Sequence, residues 1–147
     1  MNLGSRKAAS EYEKRREQLA ADRLRAPALR QRFPEIGRLR IELGFEQSPA
    51  QTAAPSAQLH TLYRAAPAFF RFSCPCAGCD GEFDLTDAVT AVAANQGKRS
   101  LAPPKVGELN CQGIRFGHNL TLRATCSLQL RYTLQVEFIS VAKPLAV

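Results

Sequence analysis

Leu120-Thr121-Leu122-Arg123-Ala124-Thr125-Cys126-Ser127-Leu128-Gln129-Leu130-Arg131-Tyr132-Thr133-Leu134-Gln135-Val136-Glu137-Phe138 is apolar at every even position and polar at every odd one. A period of two sustained over that length is the pattern of a β-strand with one buried face. It predicts one long strand from Leu120 to Ile139. Just upstream, Gly117-His118-Asn119 supplies residues that tolerate positive φ. A tight hairpin turn on His118-Asn119 would lead back into a strand from Val106 to Arg115. In that register Cys111 faces Cys126, Leu109 faces Leu128 and Gly113 faces Ala124. The two cysteines then become cross-strand neighbours on the core face, with Cβ atoms about 5 Å apart. The shorter partner strand leaves the far end of the long one uncovered. Leu39, Ile41, Leu43 and Phe45, alternating with Arg38, Arg40, Glu42, Gly44 and Glu46, give the natural strand to pair there.

The remaining cysteines lie in Cys74-Pro75-Cys76-Ala77-Gly78-Cys79-Asp80-Gly81. A tetrahedral zinc site takes four soft ligands, commonly two from one tight turn and two from elsewhere in the fold. The first pair can be read in two ways. Cys76 and Cys79 form a C-x-x-C turn, with Gly81 letting backbone N–H groups approach the thiolates. Cys74 and Cys79 form a C-x4-C turn, with Pro75 fixing the chain leaving the first ligand. Three cysteines thus compete for two places, and Cys74 and Cys76 are both retained as candidates beside Cys79, Cys111 and Cys126. Other readings are a disulfide or redox pair, or buried unligated thiols. An odd fifth cysteine and an N-terminus without an apolar signal stretch favour a reducing compartment, and hence metal. Residues 74–81 resemble the knuckles of zinc-ribbon proteins, a likeness confined to that turn.

Around this centre the 147-residue chain is long enough for one domain with a real core. Residues 5–26 predict a helix, capped at Ser10 with Glu13 completing a capping box, or starting earlier at Ser5. Pro27 interrupts it, and Leu29 and Phe33 fit a short second turn ending at Pro34. Residues 47–58 read as a loop, His60 to Tyr63 are ambiguous, and Phe69 to Phe72 predict a strand entering the cysteine turn. A helix is expected from Phe83, capped by Asp84 or Thr86 and stopped at Gly97, with Leu85, Ala88, Val89 and Val92 on one face. The fold class expected is α+β: a small antiparallel sheet of about four strands, one packed helix, a four-cysteine zinc site and an N-terminal basic helix.

Charge divides the chain unevenly. Residues 1–40 carry eleven Lys/Arg against five acids, whereas the remainder carries nine against eight, within a total net charge of +7. This suggests a basic helical arm over residues 1–36 and a zinc-stabilised α+β domain over 37–147. Arg15, Arg16, Arg23 and Arg25 could follow a nucleic-acid backbone, although Glu11, Glu13, Glu17 and Asp22 among them also suit a solvated helix with i,i+4 pairs. No aromatic interleaving points to base stacking.

Two function classes follow. One is a non-enzymatic zinc-binding module contacting nucleic acid or a nucleoprotein through the arm. The other is a protein–protein adaptor, or a homodimer formed through residues 5–32 with Tyr12, Leu19 and Leu24. A metal-dependent or thiol enzyme trails, because no base–nucleophile pair is apparent. Pro75-Cys76-Ala77-Gly78-Cys79 matches half of the zinc-deaminase pattern, but no His-x-Glu accompanies it. His60 and His118 are the only histidines, and His118 reads as a turn residue. No apolar run reaches membrane-spanning length, so a cytoplasmic protein without membrane contact is expected.

Overall fold

A computed structural model describes residues 3–46, 57–76, 78–94, 103–116 and 123–139. The predicted α+β architecture is present. Its main sheet has four antiparallel strands in the order β2-β1-β8-β5, namely Gln58–Tyr63, Ile36–Glu46, Gln129–Phe138 and Lys105–Asn110. The alternation that announced β1 and β8 holds in space. Leu39, Ile41, Leu43 and Phe45 face Val136, Leu134, Tyr132 and Leu130 across the ladder, and all eight are buried. Solvent takes the other face, where Arg38 pairs with Glu137 at 2.9 Å and Arg131 with Glu108 at 3.0 Å.

Two short ribbons stand beside this sheet: β3 (Arg71–Ser73) with β4 (Glu82–Asp84), and β6 (Ile114–Phe116) with β7 (Arg123–Thr125). They correct the sequence reading in three ways. Phe69 to Phe72 does not join the main sheet; its end becomes β3 of the first ribbon. Phe83 lies in β4 rather than starting the helix, and α3 spans Thr86–Ala93. Asp84 does serve its N-terminus, its carboxylate accepting the Thr86 N–H at 2.9 Å. Finally, the expected long strands break at the cysteines, between β5 and β6 and between β7 and β8.

The register differs as well. Leu109 faces Leu130 and Ile114 faces Thr125. Across the break the Cys111 N–H donates to the Leu128 carbonyl at 2.9 Å and the Cys126 N–H to that of Gly113 at 3.0 Å. Cys111 therefore stands diagonal to Cys126, not opposite it. A slip of two positions returns every side chain to its original face, so alternation alone cannot exclude it. The predicted turn at His118-Asn119 and the helix stop at Gly97 lie outside the described residues.

Helix α1 covers Leu3–Arg25, starting before either serine proposed as its cap, and α2 is the single turn Leu29–Arg32. The connection is pinned to residues 64–68 by backbone hydrogen bonds. Leu29 N–H donates to Ala66 O and Ala68 N–H to Pro27 O, both at 2.7 Å. Leu29 and Ile36, from the stretch read as arm, are fully buried in the same core as Phe70, Phe83, Val89 and Leu134. Phe70 packs on Phe33 and Phe83 on Phe45, with ring centroids 6.2 and 6.1 Å apart. His60 lies against Phe72, centroids 4.8 Å apart, and burial lowers its pKa, with the nearby Arg23 charge adding to the effect. Among the described residues no helix is long and apolar enough to cross a membrane.

Candidate metal centre

Cys74, Cys79, Cys111 and Cys126 converge where the two ribbons meet, with all four sulfurs within 4.8 Å of one another. Each cysteine is buried, with at most 3% of its surface exposed. The Cys74 and Cys126 sulfurs are 3.8 Å apart and those of Cys79 and Cys111 3.5 Å. A tetrahedron with metal–sulfur bonds of about 2.3 Å has edges of about 3.8 Å. The pocket thus fits a tetrahedral thiolate-bound ion.

The local backbone explains how four thiolates could be tolerated together. Each sulfur accepts the backbone N–H two residues ahead of it. Gly81 N–H donates to Cys79 Sγ at 3.4 Å and Gly113 N–H to Cys111 Sγ at 3.3 Å. Cys76 N–H serves Cys74 Sγ, and Leu128 N–H serves Cys126 Sγ. Hydrogen bonds to the charged form favour it. The strand breaks at the cysteines are the same event seen from the ladder, since these amides turn inward to sulfur instead of across to a neighbouring strand.

The Cys79-Asp80-Gly81 and Cys111-Gln112-Gly113 knuckles lie back to back. A Cβ on Gly113 would run into the amide nitrogen and Cα of Gly81 and come within 2.9 Å of Cys79 Sγ. One on Gly81 would collide with Cys111 Sγ and lie 3.0 Å from the Cα and N of Gly113. Both positions exclude any side chain. Gly78 has φ of 72° in the turn closed by Cys79 N–H on Cys76 O at 3.2 Å, a left-handed position that glycine takes without strain. Asp80 ties the knuckles together, because its Oδ1 accepts the Ile114 N–H at 2.7 Å and its own N–H donates to Ile114 O at 3.2 Å.

Of the two candidates for one place, Cys74 belongs to the converging set. Cys76 stands just outside it, buried, with its Sγ 4.0 Å from that of Cys126. Without a cation the four thiols do not ionise alike. The hydrogen bond from Cys74, against burial and helped by Gly81 N–H, pushes the Cys79 thiol down to about 6. Cys74, as the donor of that bond and by burial, goes up. Burial raises Cys111 and pushes Cys126 up to about 12. One thiolate is easily held here, and four require a cation among them.

The arginines proposed for nucleic acid divide into two groups. Arg16 Nη2 donates to the Cys74 carbonyl at 3.1 Å, and Arg15 lies 3.6 Å from the Asp80 carboxylate. Both therefore reach the knuckles, whereas Arg23 and Arg25 are exposed. Arg71 extends the same docking, bridging Asp22 of α1 at 3.0 Å and Glu82 of β4 at 2.9 Å. Between α1 and the knuckles lies a cleft of about 350 Å³ bordered by Arg15, Arg16, Arg71, Gly81 and Gly113. Sequence reading missed the repeated Cys-x-Gly, which was legible at 79–81 and 111–113. It also missed α1's attachment to the knuckles, for which the sequence carries no local signal. No protein-family model, curated protein or solved structure matches the chain.

Proposed function

We propose that this chain is a non-enzymatic module built on a structural zinc ion held by Cys74, Cys79, Cys111 and Cys126, and that it works in a reducing, cytoplasmic setting. The observation that carries the reading is the closure of four buried sulfurs on one another, each backed by an N–H two residues on. Four sulfurs complete a tetrahedral shell, which suits a structural ion rather than one that activates water. Zinc and iron both take tetrahedral sulfur sites. Elemental analysis of protein purified under reducing conditions tests the choice. One zinc per chain is expected, and cobalt substituted for it should give thiolate charge-transfer bands with tetrahedral d–d transitions. An ion-free, folded protein would refute the reading.

The partner we propose is nucleic acid or a nucleoprotein, reached through exposed basic residues of α1 and α2. Its support is the excess of Lys/Arg in residues 1–40 and the exposure of Arg23, Arg25, Arg30 and Arg32. Log affinity for random DNA or RNA should fall linearly with log salt, and Arg23→Ala with Arg25→Ala should flatten that slope. Absence of binding at low salt refutes this part. A protein–protein adaptor is favoured by Leu24, an apolar residue 86% exposed on α1. Dimerisation or partner capture lost with Leu24→Ser would be its mark.

A further inference from the structure

Among the described residues the main sheet ends on β2 at one side and on β5 at the other. An edge strand offers unpaired backbone N–H and C=O groups to any strand that meets it, and soluble proteins blunt such edges with charge or proline. β5 is blunted. Pro103 and Pro104 precede it, Lys105 and Glu108 lie within it, and Glu108 is engaged by Arg131. β2 is not. It reads Gln58-Leu59-His60-Thr61-Leu62-Tyr63, with no acid, lysine, arginine, proline or glycine. Leu59 and Tyr63, on the solvent face to either side of Thr61, are 54% and 61% exposed. Apart from the ladder to β1, no backbone hydrogen bond ties residues 58–62 to another described residue.

We infer that β2 is a dimerisation edge, on which two copies of this chain pair antiparallel about a two-fold axis through Thr61. The two four-stranded sheets then become one. This goes beyond the zinc and nucleic-acid readings and depends on neither.

The sequence of β2 is self-complementary about that axis. Leu59 meets the partner's Tyr63 on the solvent face, and His60 meets the partner's Leu62 on the half-buried one. Thr61 meets its own copy, and Arg64, just past the strand, meets the partner's neutral Gln58. Directly opposite apolar pairs and Thr–Thr pairs stabilise an antiparallel ladder, and like charges opposite each other would weaken it. No row of this seam sets charge against like charge. Arg40, beside Thr61 on β1, comes no nearer its copy than three strand spacings, about 14 Å. That exceeds the screening length of about 8 Å in physiological salt. An axis through His60 instead would set Leu59 against Thr61 and Tyr63 against Ala57, leaving both exposed apolar residues unmatched. Because β5 is defended, each chain offers one such edge, so the assembly closes at two copies.

The test is sedimentation velocity on the full chain over a concentration series. A seam of one six-residue edge is small, so a reversible, concentration-dependent dimer is expected. Thr61→Lys and Thr61→Glu each place like charges on the axis and should each weaken the dimer by about ten-fold or more. Mixing the two variants should restore association as a heterodimer, which mere damage to the fold would not do. In the wild type, amide exchange over residues 58–63 should slow as concentration rises, while that of α1 stays unchanged. A monomer at every concentration overturns the inference. So does a dimer indifferent to both Thr61 variants, one whose protection falls on α1 and is lost with Leu24→Ser, or growth into open-ended oligomers. Should the Thr61 variants fail to fold, the wild-type exchange map decides.

Discussion

Replacing Gly113 with alanine is the sharpest test of the back-to-back knuckles. The new methyl would meet Gly81 backbone atoms and lie 2.9 Å from Cys79 Sγ. Backbone cannot rotate aside as a side-chain end can. Restoring an ordinary contact of 3.4 Å to that sulfur alone requires a shift of about 0.5 Å. Metal–ligand distances tolerate only about 0.2 Å. The strain is therefore delivered to the ligands. Overpacking of this kind costs about 1–3 kcal/mol, and displacing groups that orient a ligand costs about 10–100-fold in metal affinity. Competition with a chromogenic chelator measures the second quantity and urea unfolding of the loaded protein the first. Gly107→Ala is the control: its methyl would strike the Tyr132 ring, far from the sulfurs, so stability should fall while metal affinity stays. Unchanged affinity in Gly113→Ala, with an unchanged unfolding midpoint, would refute the claim that the two knuckles support each other.

Cys111→Ser and Cys126→Ser should each leave the domain unfolded by circular dichroism, because structural zinc contributes about 10–16 kcal/mol, comparable to a whole domain's stability of about 5–15 kcal/mol. Cys74→Ser should lower metal content in elemental assay and Cys76→Ser should not, since the Cys74 sulfur belongs to the converging set. Gly44→Ala should raise stability by about 0.4–1 kcal/mol in urea unfolding, because its methyl meets nothing nearer than the Arg131 carbonyl at 3.6 Å. Asp22 should titrate below its ordinary 3.8 in NMR, held down by the Gln18 hydrogen bond and then by Arg71, with Arg71→Ala moving it back up. Its folded-state pKa being depressed, its link to β3 is fully present above the ordinary carboxylate value. That link is lost as pH falls through the lowered one.

The main sheet was legible because β8 and residues 38–46 of β1 alternate cleanly, the fault being the register shift between Ile36 and Arg38, and these are the two strands that pair most extensively. The relation of Cys111 to Cys126 was not fully legible, for a physical reason. Alternation is unchanged by a slip of two, and the register found is one in which Gly113, lacking a side chain, lets Gly81 approach, a contact between distant parts of the chain. The choice between Cys74 and Cys76 is equally non-local in its cause. Cys76 gives its amide to Cys74 while its own sulfur turns toward Cys126. Docking of α1 brings Arg16 to a carbonyl fifty-eight positions away and Asp22 to Arg71, and no periodicity encodes such contacts. Short ribbons such as β3–β4 are too brief for a period of two to register.

The two knuckles that touch through Gly81 and Gly113 are separated along the chain by strand β4, helix α3 and strand β5. Bringing Cys79 to Cys111 closes a loop whose entropy cost is about 3 kcal/mol. Each knuckle can form locally, but the four-sulfur cage exists only once that loop has shut. Ion capture should therefore be a late event in folding, and a chain stripped of its ion should still retain one ribbon's worth of turn while its two halves drift apart.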